Sequence, residues 1–229
     1  MYAVLKRGLD ILGSALALLV LTPILLPVGL LLWATGEHEV FYRQMRIGHR
    51  NERFGIWKFA TMLKDSPNLG TGTLTVRGDP RVTAVGRVLR ATKLNEIPQL
   101  FNILTGQMSF VGPRPQVQGD YDCYPDHVRA SIYTVRPGIT GIGSIVFRDE
   151  ERLLSRPGVD PRAFYAEKIA PYKGELEMWY LRRASLLTDA RLVLHTAWAV
   201  VAPTSDRIFR AFPDLPPKPD WFDERADSL

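Results

Sequence analysis

Cysteine is almost absent from this chain. Cys123 stands alone among 229 residues, so no intrachain disulfide can form, and the composition fits a reducing compartment. Histidine is scarce too, and His38, His49, His127 and His195 show no metal-ligand spacing. No Gly-rich nucleotide fingerprint follows a strand, no Ser–His–Asp arrangement can be picked out, and no segment repeats. There is no helix-turn-helix signature, zinc-finger spacing or aromatic RNA-binding motif, which sets nucleic acid aside as a partner. Lysine and arginine still outnumber aspartate and glutamate, 29 to 24, for a formal net charge of +5. That excess suits anionic partners such as lipid headgroups and phosphorylated substrates.

Charge is missing altogether between Ile11 and Trp33. About 20 such residues suffice to cross a bilayer, and the run is too long for the apolar part of a secretory signal. Lys6 and Arg7 precede it, while Arg43, Arg46, Arg50 and Arg53 follow. Basic residues on both flanks each favour the cytoplasmic side, so a straight crossing frustrates one set and a hairpin satisfies both. Pro23, near the middle, has no N–H to give and clashes with the preceding turn; Pro27 repeats the problem. Thr22 is placed to satisfy a carbonyl that the break frees. Two readings stand on the residues alone: a helix–break–helix that returns to the side it entered, and a kinked helix that crosses.

Beyond the apolar run, "VFYRQ" and "FGIWKF" read as two short strands around the polar turn "GHRNE". "KDSPNLGTGTLTVRGDPR" is loop-like. A helix is expected from about Ala84 to Thr92. A second starts at Asn95 as N-cap, with Ile97, Leu100, Phe101 and Leu104 on its apolar face. "SFVGPRP" is stiffened by proline and holds Arg114, and "RPGITGIGS" leads into "IVFRDEERLL". Later helices break at Pro171. The last aligns Leu187, Ala190, Leu194, Ala197 and Val201 on a face suited to the core, a membrane or a second subunit. The end, "PDLPPKPDWFDERADSL", reads as extended or disordered.

These pieces together resemble the bacterial sugar transferase family, the monotopic phosphoglycosyl transferases. The matching stretches are "KRGLDI", "VFYRQMRIGHRNERFGIWKFATM", "GDPRVTAVGRVLRATKLNEIPQLFNILTGQMSFVGPRP", "RPGITG" and "SLLTDARLVLHTAW", in the family's order over most of residues 4 to 200. The resemblance implies transfer of a phospho-sugar from a UDP-sugar to membrane polyprenyl (undecaprenyl) phosphate. UMP leaves, and surface glycan assembly begins. It also implies Mg²⁺, a re-entrant helix marked by Thr22, Pro23 and Pro27, and residence at the bacterial inner membrane with the catalytic part on the cytoplasmic face. A homodimer is compatible with it. The implied architecture is α+β and mostly helical. A re-entrant membrane segment (1–36) precedes a compact catalytic domain with a small β-hairpin (37–205) and a Pro-rich tail (206–229).

The chemistry must neutralise anionic oxygens around the attacked phosphorus. Arg114 sits between two prolines, so little entropy is lost when it grips phosphate. Arg136 precedes a turn in which Gly138 and Thr140 offer backbone N–H groups to an anion. Lys58 supplies a further positive charge. Loops Gly70–Val76 and Gly141–Phe147 are expected to select the sugar.

At one position the chain departs sharply from the family, which carries an Asp–Glu pair before "PQL" with the Asp as covalent nucleophile. Here the pair is Asn95–Glu96. An amide is a very poor nucleophile and brings no charge to a metal ion. Ala60 stands where the family has arginine, and "RDEE" adds an acidic cluster. Three chemistries follow. Glu96 is itself the nucleophile; or Asp149, Glu150 or Glu151 replaces the missing carboxylate; or polyprenyl phosphate attacks directly. The expected site has Glu96, Asn95, Asp149 and Glu150 as catalytic groups and Glu96 with Asp149 as metal ligands. The competing class is an inactive scaffold that keeps UDP-sugar and lipid binding.

Overall fold

The uncharged run builds the longest element, helix α1 (Tyr2–Ala34), of 33 residues. The computed structural model describes residues 1–35, 37–69, 75–76, 78–201 and 206–223. Contrary to the expected helix–break–helix, α1 is continuous through Pro23 and Pro27. Both prolines lie on its exposed side, where their rings meet no packed neighbour, and Thr22 Oγ1 donates to the Leu18 carbonyl at 2.6 Å.

The other side of α1 lies on the domain along its whole length. Asp10, Ser14, Ala17, Leu18, Leu21, Leu25, Val28 and Leu32 recur every three or four residues, as one face of a helix must. Near its start, Arg7 donates to the carbonyls of Ile103 and Leu104, and the buried Asp10 accepts from Ser109 Oγ and the Phe110 N–H, both at 3.0 Å. Near its end, Leu32 is buried with Phe59 and Leu89. The outer face shows Leu12, Leu16, Leu19, Val20 and Leu26 to solvent.

Strands β1 (Phe41–Ile47) and β2 (Arg53–Phe59) form the expected antiparallel hairpin, Phe41 opposite Phe59 and Ile47 opposite Arg53. Its turn puts Arg50 and Asn51 in the left-handed region, at φ 58° and 60°. Helix α2 (Ala84–Ala91) is capped by Thr83, whose hydroxyl accepts from the Gly86 N–H. A 3₁₀ segment, Leu94–Gln99, then runs into α3 (Leu100–Leu104). Its cap position is Lys93, at φ +61°, rather than the expected Asn95, because the chain enters one turn earlier and tighter than an α-helix.

Strand β3 (Ser109–Val111) is followed by α4 (Gln118–Tyr121) and α5 (Asp126–Ser131), and pairs in parallel with β4 (Gly138–Thr140). Short helices α6 (Ile142–Val146), α7 (Glu150–Leu154) and α8 (Pro161–Phe164) follow. A π turn, Tyr165–Ile169, absorbs the missing N–H of Pro171 at the start of α9 (Ala170–Arg183). Helix α10 (Leu186–Val201) and α11 (Asp206–Ala211) complete the fold.

The main core gathers Val128, Ile132, Ile142, Leu153, Ile169, Leu176 and Leu192. Residues 206–223 fold back onto it, including 213–223 of the stretch expected to be extended or disordered. Ile208, Phe212, Leu215 and Phe222 are buried there. The apolar stripe on α10 points the other way, with Leu187 70% and Leu194 71% exposed. The helix instead buries Asp189, Leu192 and Ala199.

Candidate active site

A cleft of about 1690 Å³ opens between the hairpin, the 3₁₀ segment, α6–α7 and α10, and reaches the end of α1 at Leu32. Glu96 and Asn95 line it, together with Lys58, Arg114, Thr140, Asp149 and Glu150. Arg46, Arg90, Lys93 and Arg148 line it as well.

Local folding explains how Glu96 meets its partners. Asn102, 1% exposed, clamps β2 to α3: its Oδ1 accepts from the Trp57 N–H at 3.0 Å, and its Nδ2 donates to the Gly55 carbonyl at 2.8 Å. Lys58 follows on β2, and its Nζ stands 3.8 Å from Glu96 Oε1. Arg114 arrives from the loop after β3, with Nη2 2.7 Å from the same oxygen. The loop can take that path because position 112 is glycine. A Cβ there would lie 2.4 Å from the Arg136 carbonyl.

Burial alone would raise the Glu96 carboxyl, but the charges of Arg114 and Lys58 and the hydrogen bonds from Arg114 overcome it and hold the group far below its ordinary range. Burial pushes Lys58 down to about 7, with Arg46, Arg114 and Arg90 adding to the fall and Glu96 opposing it. Arg148 and Lys93 also act on Glu96. The cleft floor is therefore one carboxylate among many cations.

The acidic cluster stands apart from that centre. Glu150 pairs with the buried Lys173, Glu151 Oε1 with Arg90 at 2.8 Å, and Asp149 with Arg152 at 3.8 Å. Each acid of "RDEE" thus has its own cation, so the expected sharing of a reaction centre with Glu96 is not what the side chains do. Arg136 and Gly138 lie away from the cleft lining. Arg136 Nε donates to the Gly106 carbonyl at 2.8 Å, and the Gly138 N–H is spent on the Pro113 carbonyl. Both brace β4 against β3 and neither lines the cleft. Thr140 does line it, its hydroxyl 2.6 Å from that of Thr196. Of the loops expected to select the sugar, Gly141–Phe147 contributes Gly143, Ser144, Ile145 and Phe147, while residues 70–74 lie outside the described residues.

Beneath the cleft lies Glu177, fully buried, facing the backbone N–H groups of Arg114 and Gly143 and the Lys173 ammonium. Burial pushes its carboxyl up to about 8, and those groups only partly offset it. Gly143 must be glycine for this approach, since a Cβ would stand 2.4 Å from Glu177 Oε1.

The residues present do not fit a resident Mg²⁺ ion. Such an ion needs at least one carboxylate oxygen free to bind it, with substrate phosphates and water completing the octahedron. Glu96 is engaged by two cations, and Asn95 Oδ1 is neutral, buried and without a hydrogen-bond partner. Among the described residues no three of His, Cys, Asp and Glu gather closely enough to hold a metal.

The sequence profile described as "Bacterial sugar transferase" matches residues 1–203. The chain belongs to that family. This sugar transferase is 34% identical over 209 residues to the exopolysaccharide production protein ExoY of Rhizobium meliloti (strain 1021), covering 85% of this chain and 84% of that protein. It is 33% identical over 197 residues to a UDP-N-acetylgalactosamine-undecaprenyl-phosphate N-acetylgalactosaminephosphotransferase of Aeromonas hydrophila, covering 85% of this chain and 43% of the relative. With the UDP-glucose:undecaprenyl-phosphate glucose-1-phosphate transferase of Escherichia coli (strain K12) it shares 34% over 197 residues, 85% of this chain and 39% of that one. The transferase thus spans most of the rhizobial protein and under half of the other two.

Sequence reasoning missed several cleft residues. In the sequence Arg46 reads as a flank of the apolar run, and Arg148 is masked by the acids that follow it. Lys93 and Lys173 in the cleft, and Glu177 and Asn102 behind it, carry no signal in one sequence, because only the fold brings them together.

Proposed function

We propose that this sugar transferase moves a phospho-sugar from a UDP-sugar to polyprenyl phosphate and so initiates assembly of a surface glycan. The observation that carries this reading is the cation-lined cleft around Glu96, open to the end of an apolar helix. A diphosphate and a lipid phosphate are the anions such a place would gather.

Glu96 is the wrong group to attack phosphorus. Two cations hold its charge, and a carboxylate so stabilised is a poor nucleophile. Its role is to set Lys58 and Arg114 at a fixed separation. An oxygen of polyprenyl phosphate attacks the sugar-bearing phosphorus directly. The bond from that phosphorus to the bridging oxygen breaks, its electron pair leaves on UMP, and a polyprenyl diphosphate sugar results. Arg114, Lys58 and Arg148 hold the crowded oxygens, with no covalent enzyme intermediate.

The bilayer lies against the outer faces of α1 and α10. Helix α1 is about 50 Å long, against a hydrocarbon core of about 30 Å. A straight crossing would carry its ends to opposite sides, yet both ends are fastened to the same domain. That supports re-entry from the cytoplasmic face of the inner membrane, as a bowed helix whose prolines face the lipid.

Detergent-purified protein should release UMP from one of a panel of UDP-sugars only when undecaprenyl phosphate is present. Release from the donor alone, one UMP per enzyme, would mean a covalent intermediate and would sink direct attack. No release from any donor would sink the reaction itself.

A further inference from the structure

The poor fit of the cleft for a divalent cation has a positive counterpart. We infer that this transferase neutralises its two phosphate substrates with its own side chains and works without a divalent metal ion. The inference deepens the reaction proposed above and rests on it.

Arg46, Lys58, Lys93, Arg114 and Arg148 all act on Glu96 through space. Four full cations and Lys58, which is about half charged at neutral pH, face one carboxylate, for a net of about 3.5 positive charges that rises towards four as bound phosphate favours the Lys58 ammonium. The donor diphosphate brings two negative charges. A phosphomonoester such as the acceptor brings about 1.5 to 2 at pH 7. The two sets nearly cancel, so an added dication would meet surplus positive charge. It would also have to pull Glu96 away from Arg114, which holds it at 2.7 Å. Mg²⁺ sheds its water reluctantly and gains little from a single occupied carboxylate.

Position 95 is where this balance is set. An aspartate there would lower the net charge by one and place a second carboxylate beside Glu96, the arrangement in which a dication becomes useful. Asn95 removes that use while keeping the side chain's shape. The residue is 6% exposed in the wall of the cleft and its Oδ1 has no hydrogen-bond partner, so an aspartate there would depend on a nearby cation to hold its charge.

The test titrates UDP into EDTA-dialysed protein by calorimetry, with and without Mg²⁺, and assays UMP release on the same samples. UDP affinity and UMP release should each change less than threefold when Mg²⁺ is added. In N95D, by contrast, Mg²⁺ should tighten UDP at least tenfold. A tenfold gain in UDP affinity on the native protein, or release that vanishes in EDTA and returns with Mg²⁺, would overturn the inference. So would an N95D variant as indifferent to Mg²⁺ as the native protein. Metal-independent UDP binding without UMP release in either condition would defeat the proposed reaction and leave the metal-free cleft standing.

Discussion

Glu96 shows how one side chain can matter without reacting. In E96Q the Arg114 and Lys58 charges lose the group that sets their positions, and UMP release should fall about a hundredfold. UDP should bind as tightly or tighter, because a negative charge has left the cleft. A loss of UDP affinity to match the loss of rate would contradict the positioning role. Glu177 offers a pH signature. Its folded-state carboxyl, raised to about 8, exceeds the unfolded value, so its contribution to stability is complete below about pH 4.5 and is lost as pH rises towards 8. The limit of that loss is on the order of 5 kcal/mol. E177Q should flatten the decline in apparent Tm between pH 5 and 8; an unchanged decline would place its cause elsewhere.

Helix α1, the hairpin and α10 act as whole elements. In a Cys123→Ser background, single cysteines at Val4 and Glu39 should both be labelled from the cytoplasmic side of inverted vesicles. Labelling from opposite sides would establish a crossing. The hairpin depends on Asn102, whose loss in N102A leaves the Trp57 N–H and Gly55 carbonyl without their partner. The cost is about 2–4 kcal/mol, or a drop of about 4–16 °C in Tm for a chain of this size. Differential scanning fluorimetry in detergent would measure it, and a change under 2 °C would demote the clamp.

At the scale of the molecule, the periodicity and strand chemistry around residues 41–59 announced the hairpin, and the uncharged run announced α1. Continuity through Pro23 and Pro27 was not legible, because it depends on where the domain supports the helix. The stripe on α10 was legible as apolar, but not as outward-facing: its buried side includes Asp189, which is held by Tyr2 and Lys6 from α1. The folded tail was hidden for a similar reason. Its prolines and acids disguise Ile208, Phe212, Leu215 and Phe222, each worth about 1.5–3 kcal/mol when buried. The sum rivals the net stability of a domain, so a chain ending at residue 205 should be degraded by protease at native-like temperatures while one that includes residue 223 resists. Equal resistance would show the tail to be ornamental. Glu96, Lys58 and Arg114, singled out by motif and charge, lie together in the cleft, whereas Arg136 and Gly138, singled out in the same way, spend their N–H groups on the Gly106 and Pro113 carbonyls, a placement that only the fold decides.

The same tail reaches the cleft through Phe147, whose ring meets Phe222 at 5.4 Å and Tyr172 at 6.1 Å, one residue before Arg148. Synthesis runs from the apolar helix towards that aromatic clasp. The ring that packs beside Phe147 is therefore among the last parts of the chain to be made, and a protein halted before residue 222 has its apolar helix but lacks one wall of the aromatic clasp next to Arg148.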